Sequence, residues 1–163
     1  MGHAICAVLL KGPFDQRIAE RYDLFGIALT PEITMFHIDH YYTACWQKQL
    51  GVQGDLEGSV ECAIFPYEAV LHTLISAITG IEEPVFAVIL TDYFGGAGEQ
   101  WAQVYQGSKL VNPQIRIINQ ALAQLGVVAS PGMDEFDTVG LSNYRSQPEY
   151  LEKYRDLADT LGV

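Results

Sequence analysis

Residues 91–101 combine glycines with acidic and aromatic side chains in a pattern that suits contact with a ligand or a partner protein. Glycine adopts positive φ readily and lets backbone N–H groups approach an anion closely. The segment joins two predicted strands and lacks a P-loop lysine, so the common nucleotide-binding fingerprints do not apply. A hairpin turn with a bulge is the alternative, and the sequence leaves both open. The candidate ligand- or partner-binding residues here are Asp92, Tyr93, Phe94, Gly95, Gly96, Gly98, Glu99, Gln100 and Trp101.

A second candidate is the segment of residues 37–40, in which His37, Asp39 and His40 can all bind a metal ion. On a strand, His37 and Asp39 share one face, and His40 can turn inward from the start of the following helix. Three ligands would then converge on one ion. The alternative is structural: Asp39 caps the helix, His37 is partly buried and His40 is exposed.

Acidic residues gather again in the C-terminal part of the chain, where Asp134 and Asp137 precede Tyr144. Carboxylates in a loop can bind a divalent cation or a basic partner, although their spacing differs from that of an EF-hand. A solvated acidic loop is the alternative. These three residues complete the set of candidate binding residues.

The three cysteines, Cys6, Cys45 and Cys62, form no CxxC pair, and their odd number argues against a disulfide framework. We therefore expect a reducing, cytoplasmic environment. Cys6 and Cys45 fall in apolar patterns, where thiols act as small hydrophobic groups, and Cys62 has no basic neighbour that would activate it. The sequence assigns no catalytic residue and no cofactor, and whether the protein is an enzyme stays open.

The charge balance limits the choice of partner. The 163 residues include nine Lys and Arg against 20 Asp and Glu, for a net charge of −11, and no Lys or Arg occurs between Lys48 and Lys109. Such a surface repels nucleic acids and anionic membranes, and it favours a basic protein or a cation. A merely well-solvated surface is the alternative.

Membrane insertion and export are also not expected. No run of about 18 apolar residues occurs in the chain, so the sequence predicts no membrane-spanning helix. The N-terminal residues lack the basic region and the cleavage site of a signal peptide. The expectation is a soluble cytoplasmic protein whose oligomeric state the sequence leaves open.

The elements that must position these residues follow a recurring order. An apolar run at 4–10 predicts a strand buried on both faces, and it is followed by a helix, two strands and a second helix that ends at Gly51. The same order is predicted again from a strand at 60–65 to a helix that ends at Gly126. A strand near 136–141 and a last helix follow.

Local matches between the two copies favour an internal repeat. Pro13-Phe14-Asp15 aligns with Pro66-Tyr67-Glu68, for example, at equivalent places. We predict one domain over residues 1–163, with repeats at 3–52 and 59–127 and an extension at 128–163. The fold class is α+β, with a mixed β-sheet packed by helices, a tandem βαββα pseudo-repeat, a ferredoxin-like order in the first half and an extra C-terminal helix.

Two functional hypotheses follow from these observations. The first is a noncatalytic protein-binding or regulatory module, such as a small acidic inhibitor of a basic partner, because complementary charge accelerates encounter. The alternative is a small-molecule-binding protein or enzyme whose site lies between the glycine-rich residues 95–98 and the segment 37–40.

Overall fold

A computed structural model describes residues 2–58 and 60–163. The strands are β1 (Cys6–Lys11), β2 (Gly26–Ala28), β3 (Ile33–His37), β4 (Val85–Phe94), β5 (Ala97–Gln106) and β6 (Lys109–Leu110). The helices are α1 (Gln16–Arg21), α2 (His40–Leu50), α3 (Val70–Thr79), α4 (Ile118–Gln124), α5 (Glu135–Thr138) and α6 (Glu152–Leu161). The predicted α+β class is confirmed.

The strands form one open sheet in the order β2-β3-β1-β4-β5-β6. The centre is β1, whose Val8 pairs with Phe36 of β3 on one side and with Val88 of β4 on the other. Every strand pair is antiparallel, so the predicted mixed sheet is wrong. The reason is that β1 and β2, which α1 connects and which run in the same direction, are separated by the antiparallel β3.

Both faces of the sheet are covered, because alternate residues of a buried strand enter different layers. Val8 and Leu10 belong to a core formed with α1, α2, α3 and α6. Ala7 and Leu9 belong to a second core formed with α4 and with residues of the 136–141 segment. We call these the first and second cores.

The predicted repeat and ferredoxin-like order are not confirmed. Residues 60–65 form turns and no strand, with the Cys62 and Phe65 N–H groups bonded within the segment, and β1 and β5 occupy the positions on either side of β4. Phe65 from this segment is nevertheless buried in the first core. Residue 59, where the second repeat was predicted to begin, lies outside the described residues.

The C-terminal extension also differs in part from expectation. The predicted strand near 136–141 is wrong: Asp134 accepts a hydrogen bond from the Asp137 N–H and begins the short helix α5, and a 3-10 turn follows at Leu141–Asn143. The last helix, α6, is present and ends at Gly162 with φ of 73°. Within the described residues, every helix is too short or too polar to cross a membrane.

Candidate functional site

The glycine-rich segment forms the tip of a long hairpin. Pairing between β4 and β5 continues without a bulge to Phe94 and Ala97, which leaves Gly95 and Gly96 as a two-residue turn. Their φ angles of 61° and 81° match a type I′ turn, which requires positive φ at both positions. Gly98 is required sterically, because a Cβ there would lie 2.0 Å from the Asp92 carbonyl oxygen. The glycines therefore shape the hairpin.

One face of this hairpin is acidic. Asp92 pairs directly with Glu99, and both side chains are exposed on the side of the sheet that carries the first core. Like charges directly opposite each other on an antiparallel pair are destabilising. Within residues 2–58 and 60–163 the one ion pair is between Lys153 and Asp23, so no cation of these residues forms an ion pair with Asp92 or Glu99. Phe94, at the tip, is 84% exposed.

The outer edge of β5 is open near the acidic pair. The Ala102 N–H donates to the Arg116 carbonyl on this side, and alternate residues of an antiparallel strand present their backbone groups in the same direction. The backbone N–H and C=O groups of Gly98 and Gln100 therefore also point to the outer edge of β5. Their outward N–H and C=O groups have no backbone partner in the described part of the chain, because β6 pairs only with Tyr105 and Gln106.

A groove of about 670 Å³ runs along this edge. Trp101 and Val60 supply apolar surface to it, and Glu61 adds a carboxylate at the rim. Arg116 and Ile117 line the groove as well. The acidic edge, as we call Asp92, Glu99 and the open β5 backbone, thus lies beside a partly apolar channel.

The opposite face of the hairpin borders a smaller cleft of about 330 Å³. Tyr93 and Gln100 reach this cleft from the sheet, and Asp134 and Arg145 reach it from the C-terminal segment. Two candidate segments that are distant in the sequence are therefore brought together. We call this space the polar cleft.

Hydrogen bonds fix the sheet side of the polar cleft. The Gln100 side chain accepts from the Ile118 N–H at 2.8 Å and donates to the Tyr93 hydroxyl at 3.1 Å. Deeper in, the His3 ring lies within hydrogen-bond distance of the Thr91 hydroxyl (2.8 Å) and of the Leu141 carbonyl oxygen (3.0 Å). Because a carbonyl only accepts, Nε2 carries a proton.

The C-terminal side of the polar cleft is organised by Asp134. Its carboxylate accepts from the Asp137 N–H at 2.8 Å and from the Asn119 amide at 3.1 Å, and these bonds lower the pKa of the carboxyl group. Asp137 itself is exposed, and Tyr144 packs against the second core. Of the predicted acidic cluster, only Asp134 lines the cleft.

The segment of residues 37–40 has a different environment. His37 is 5% exposed, its Nε2 atom lacks a hydrogen-bond partner among the described residues, and desolvation lowers its pKa. Asp39 caps α2 by accepting from the Tyr42 N–H at 2.7 Å, and His40 stacks on Tyr41. In the described residues no group of three His, Cys, Asp or Glu side chains is arranged to hold a metal ion.

The structure does not bring this segment to the glycine-rich tip. His37 pairs with Ala7 and shares the face of the second core, whereas Asp92 follows Leu90 on the face of the first. The Gln147 side chain bonds to the ends of β1 and β3, where it accepts from the Cys6 N–H and donates to the Ile38 carbonyl.

The candidate residues from the sequence did not include six residues that line the cleft: His3, Thr91, Asn119, Phe136, Ser142 and Arg145. A signal for His3 was present, because it continues the alternation of Ile5, Ala7 and Leu9 onto one face. Asn119 gave no such signal, since its role depends on the position of residues 134–136.

We compared the chain with protein-family models, with curated proteins and with solved structures. None of the three comparisons found a significant match.

Proposed function

We propose that the protein is a noncatalytic binding module whose acidic edge accepts a basic, extended segment of a partner protein. The observation that carries this proposal is that, among the described residues, the outer backbone groups of Gly98 and Gln100 have no backbone partner and the neighbouring carboxylates of Asp92 and Glu99 form no ion pair. The open backbone supports binding of an extended strand, and the carboxylates support a basic partner.

The open backbone supports strand addition. A sheet edge with free N–H and C=O groups is a template for another strand, and peptide recognition often uses it. Main-chain hydrogen bonds then supply affinity, while alternate side chains of the incoming strand enter neighbouring pockets. The groove beside Trp101 and Val60 is suitable for apolar side chains at those positions.

The charge supports a basic partner. Asp92, Glu99 and Glu61 are exposed along the hairpin and the groove, Arg116 is the one Lys or Arg among the residues that line the groove, and no Lys or Arg occurs between Lys48 and Lys109. Lysine or arginine side chains on the incoming strand would relieve the repulsion within the acidic pair. A second copy of this chain carries the same carboxylates, so charge disfavours self-association through this edge. An inhibitor of a basic enzyme or toxin is the kind of function that this surface fits.

The alternative site between residues 95–98 and 37–40 has no comparable support, because His37 and Asp92 lie on opposite faces of the sheet. The strand order β2-β3-β1-β4 supports a proposal that the first four strands follow the ferredoxin-like order. That order is shared by unrelated activities and says nothing about function. The three free cysteines support a cytoplasmic location.

Selection of binding sequences from a random displayed peptide library tests the proposed function without a known partner. We expect the selected peptides to be extended and rich in Lys or Arg at alternate positions. The variant D92K/E99K should lose binding to them by about 100-fold, because two attractions become repulsions.

The matched control is E20K/E32K, which changes the net charge equally on exposed residues of α1 and of the β2–β3 turn. It should bind the peptides as the unmodified chain does. Selected peptides without basic residues, or equal losses in both double variants, would overturn the proposal.

A further inference from the structure

The polar cleft carries an inference that is independent of the acidic edge. It lies on the opposite face of the hairpin. The Tyr93 side chain points to the side of the sheet that carries the second core, whereas the Asp92 side chain points to the side of the first. Its volume of about 330 Å³ is at the lower end of the range for small-molecule sites, so it suits a ligand the size of a single amino acid.

One wall of the cleft is aromatic and preformed. The His3 and Phe136 rings lie 5.4 Å apart, and both line the cleft. His3 is held on both ring nitrogens, by Thr91 and by the Leu141 carbonyl. The Phe136 N–H donates to the Asn119 side chain at 2.8 Å. Little ordering of this wall is therefore needed when a ligand enters, which favours affinity.

A neutral donor is available in the cleft. The Tyr93 hydroxyl oxygen accepts from Gln100, and the hydroxyl proton has no acceptor within the described residues. Ser142 lines the cleft as well, and its hydroxyl can act as a further donor. Both groups can bond to an oxygen of a ligand.

Charges of both signs line the cleft without pairing to each other. Arg145 makes one long hydrogen bond, at 3.4 Å, from Nη1 to the Gly2 carbonyl, and its other donors have no partner among residues 2–58 and 60–163. Asp134 is held in place by Asp137 and Asn119. Across the described residues, neither Arg145 nor Asp134 takes part in an ion pair.

We propose that the polar cleft binds a small zwitterion with an amino-acid backbone and an apolar or aromatic side chain. Arg145 binds the carboxylate, with the Tyr93 hydroxyl as a second donor, because a guanidinium presents several donors to the two oxygens. Asp134 binds the ammonium group. The rings of His3 and Phe136 contact the side chain.

Calorimetric titration of the full chain with a panel of free amino acids tests this proposal. We expect one or a few apolar or aromatic members to bind. The amide of that amino acid, which lacks the carboxylate charge, and its N-acetyl derivative, which lacks the ammonium charge, should each bind about tenfold or more weakly.

Two variants assign the charges to residues. Asp134→Asn removes the carboxylate charge yet keeps a side chain that caps α5, because Asn and Asp are equivalent N-caps. Arg145→Gln removes the guanidinium from an exposed position. Each should weaken binding about tenfold or more, while Glu20→Gln should not change it.

Absence of binding by every amino acid at millimolar concentration would overturn the proposal. Equal affinity for the N-acetyl derivative would overturn the assignment of Asp134 to the ammonium group. Because D92K/E99K leaves the cleft intact, it should bind the amino acid normally, so failure of this proposal is distinguishable from failure of the proposed function.

Discussion

The two faces of the β4–β5 hairpin differ in how their polar groups are satisfied. On one face, Asp92 and Glu99 repel each other and the nearby edge backbone is unpaired. On the other face, Gln100 and Thr91 take part in hydrogen-bond relays that fix the sheet side of the polar cleft before any ligand enters. Alternation along a strand thus gives one hairpin two recognition surfaces, one based on charge and free backbone and the other on a preformed shape.

The largest effect should come from a change that destroys both surfaces together. Gly98→Val places a side chain where the Cβ atom would lie 2.0 Å from the Asp92 carbonyl oxygen. We expect a loss of about 3 kcal/mol or more in the free energy of unfolding, measured by urea denaturation, together with loss of peptide and amino-acid binding. Gly95→Asn is the control, because Asn is tolerated in a type I′ turn. A near-normal stability of Gly98→Val would contradict the observed hairpin geometry.

A change at Thr91 should damage the cleft face and spare the acidic edge. The buried Thr91 hydroxyl accepts from the Ile5 N–H at 3.0 Å and lies within 2.8 Å of the His3 Nδ1 atom. Thr91→Val leaves both groups without this partner, and we expect a destabilisation of about 2 kcal/mol by the same denaturation measurement. Thr91→Ser should retain most of the stability. Weakened binding of basic peptides by Thr91→Val would break the proposed independence of the two faces.

We expect part of the pH dependence of stability to come from His37, which belongs to neither surface. Burial lowers its pKa, so the unfolded chain binds the proton more readily than the folded chain. The free energy of unfolding is therefore highest above about pH 6.5, the pKa of His37 in the unfolded chain, and it falls progressively as the pH drops below that value. His37→Leu should remove this part of the pH dependence and raise stability by about 1 kcal/mol, since the unpartnered Nε2 atom is lost. An identical pH profile of unfolding in the variant and the unmodified chain would refute this role.

The smallest expected effect concerns repulsion within the acidic edge. Glu99→Gln removes one of two like charges on directly paired residues, and it should stabilise the chain by roughly 0.2–1 kcal/mol at low ionic strength. Thermal unfolding in low and high salt measures this gain, which screening should diminish. Glu20→Gln, on α1, is the control and should show no comparable gain. A loss of stability in Glu99→Gln would indicate that the carboxylate has an attractive partner.

The hairpin was predictable from local sequence, whereas the cleft was not. Residues 85–90 are continuously apolar and precede a glycine pair, so β4, its turn and its antiparallel partner could be predicted. The polar cleft depends on α5, a helix of four residues whose main sequence signal is the Asp134 cap. Its docking against Asn119 and His3 is decided by packing between residues far apart in the chain.

The misassigned strand at 60–65 has a related cause. Val60, Cys62 and Phe65 are apolar residues that pack on the first core, so their composition resembles that of a buried strand. Strand formation also requires backbone pairing with a neighbouring strand, whereas here the Cys62 and Phe65 N–H groups bond locally, to the Val60 and Cys62 carbonyls. The choice between such turns and strand pairing cannot be read from a local apolar run.

Amide hydrogen exchange at Gly98 and Gln100 tests the central claim most directly, because their outward N–H groups would bond to an added strand. The measurement compares the chain alone with the chain bound to a basic peptide obtained by selection. We predict that exchange of these two amides slows strongly on binding, and that exchange in the distant edge strand β2 does not change. Unchanged exchange at Gly98 and Gln100 in the saturated complex would contradict recognition by the acidic edge.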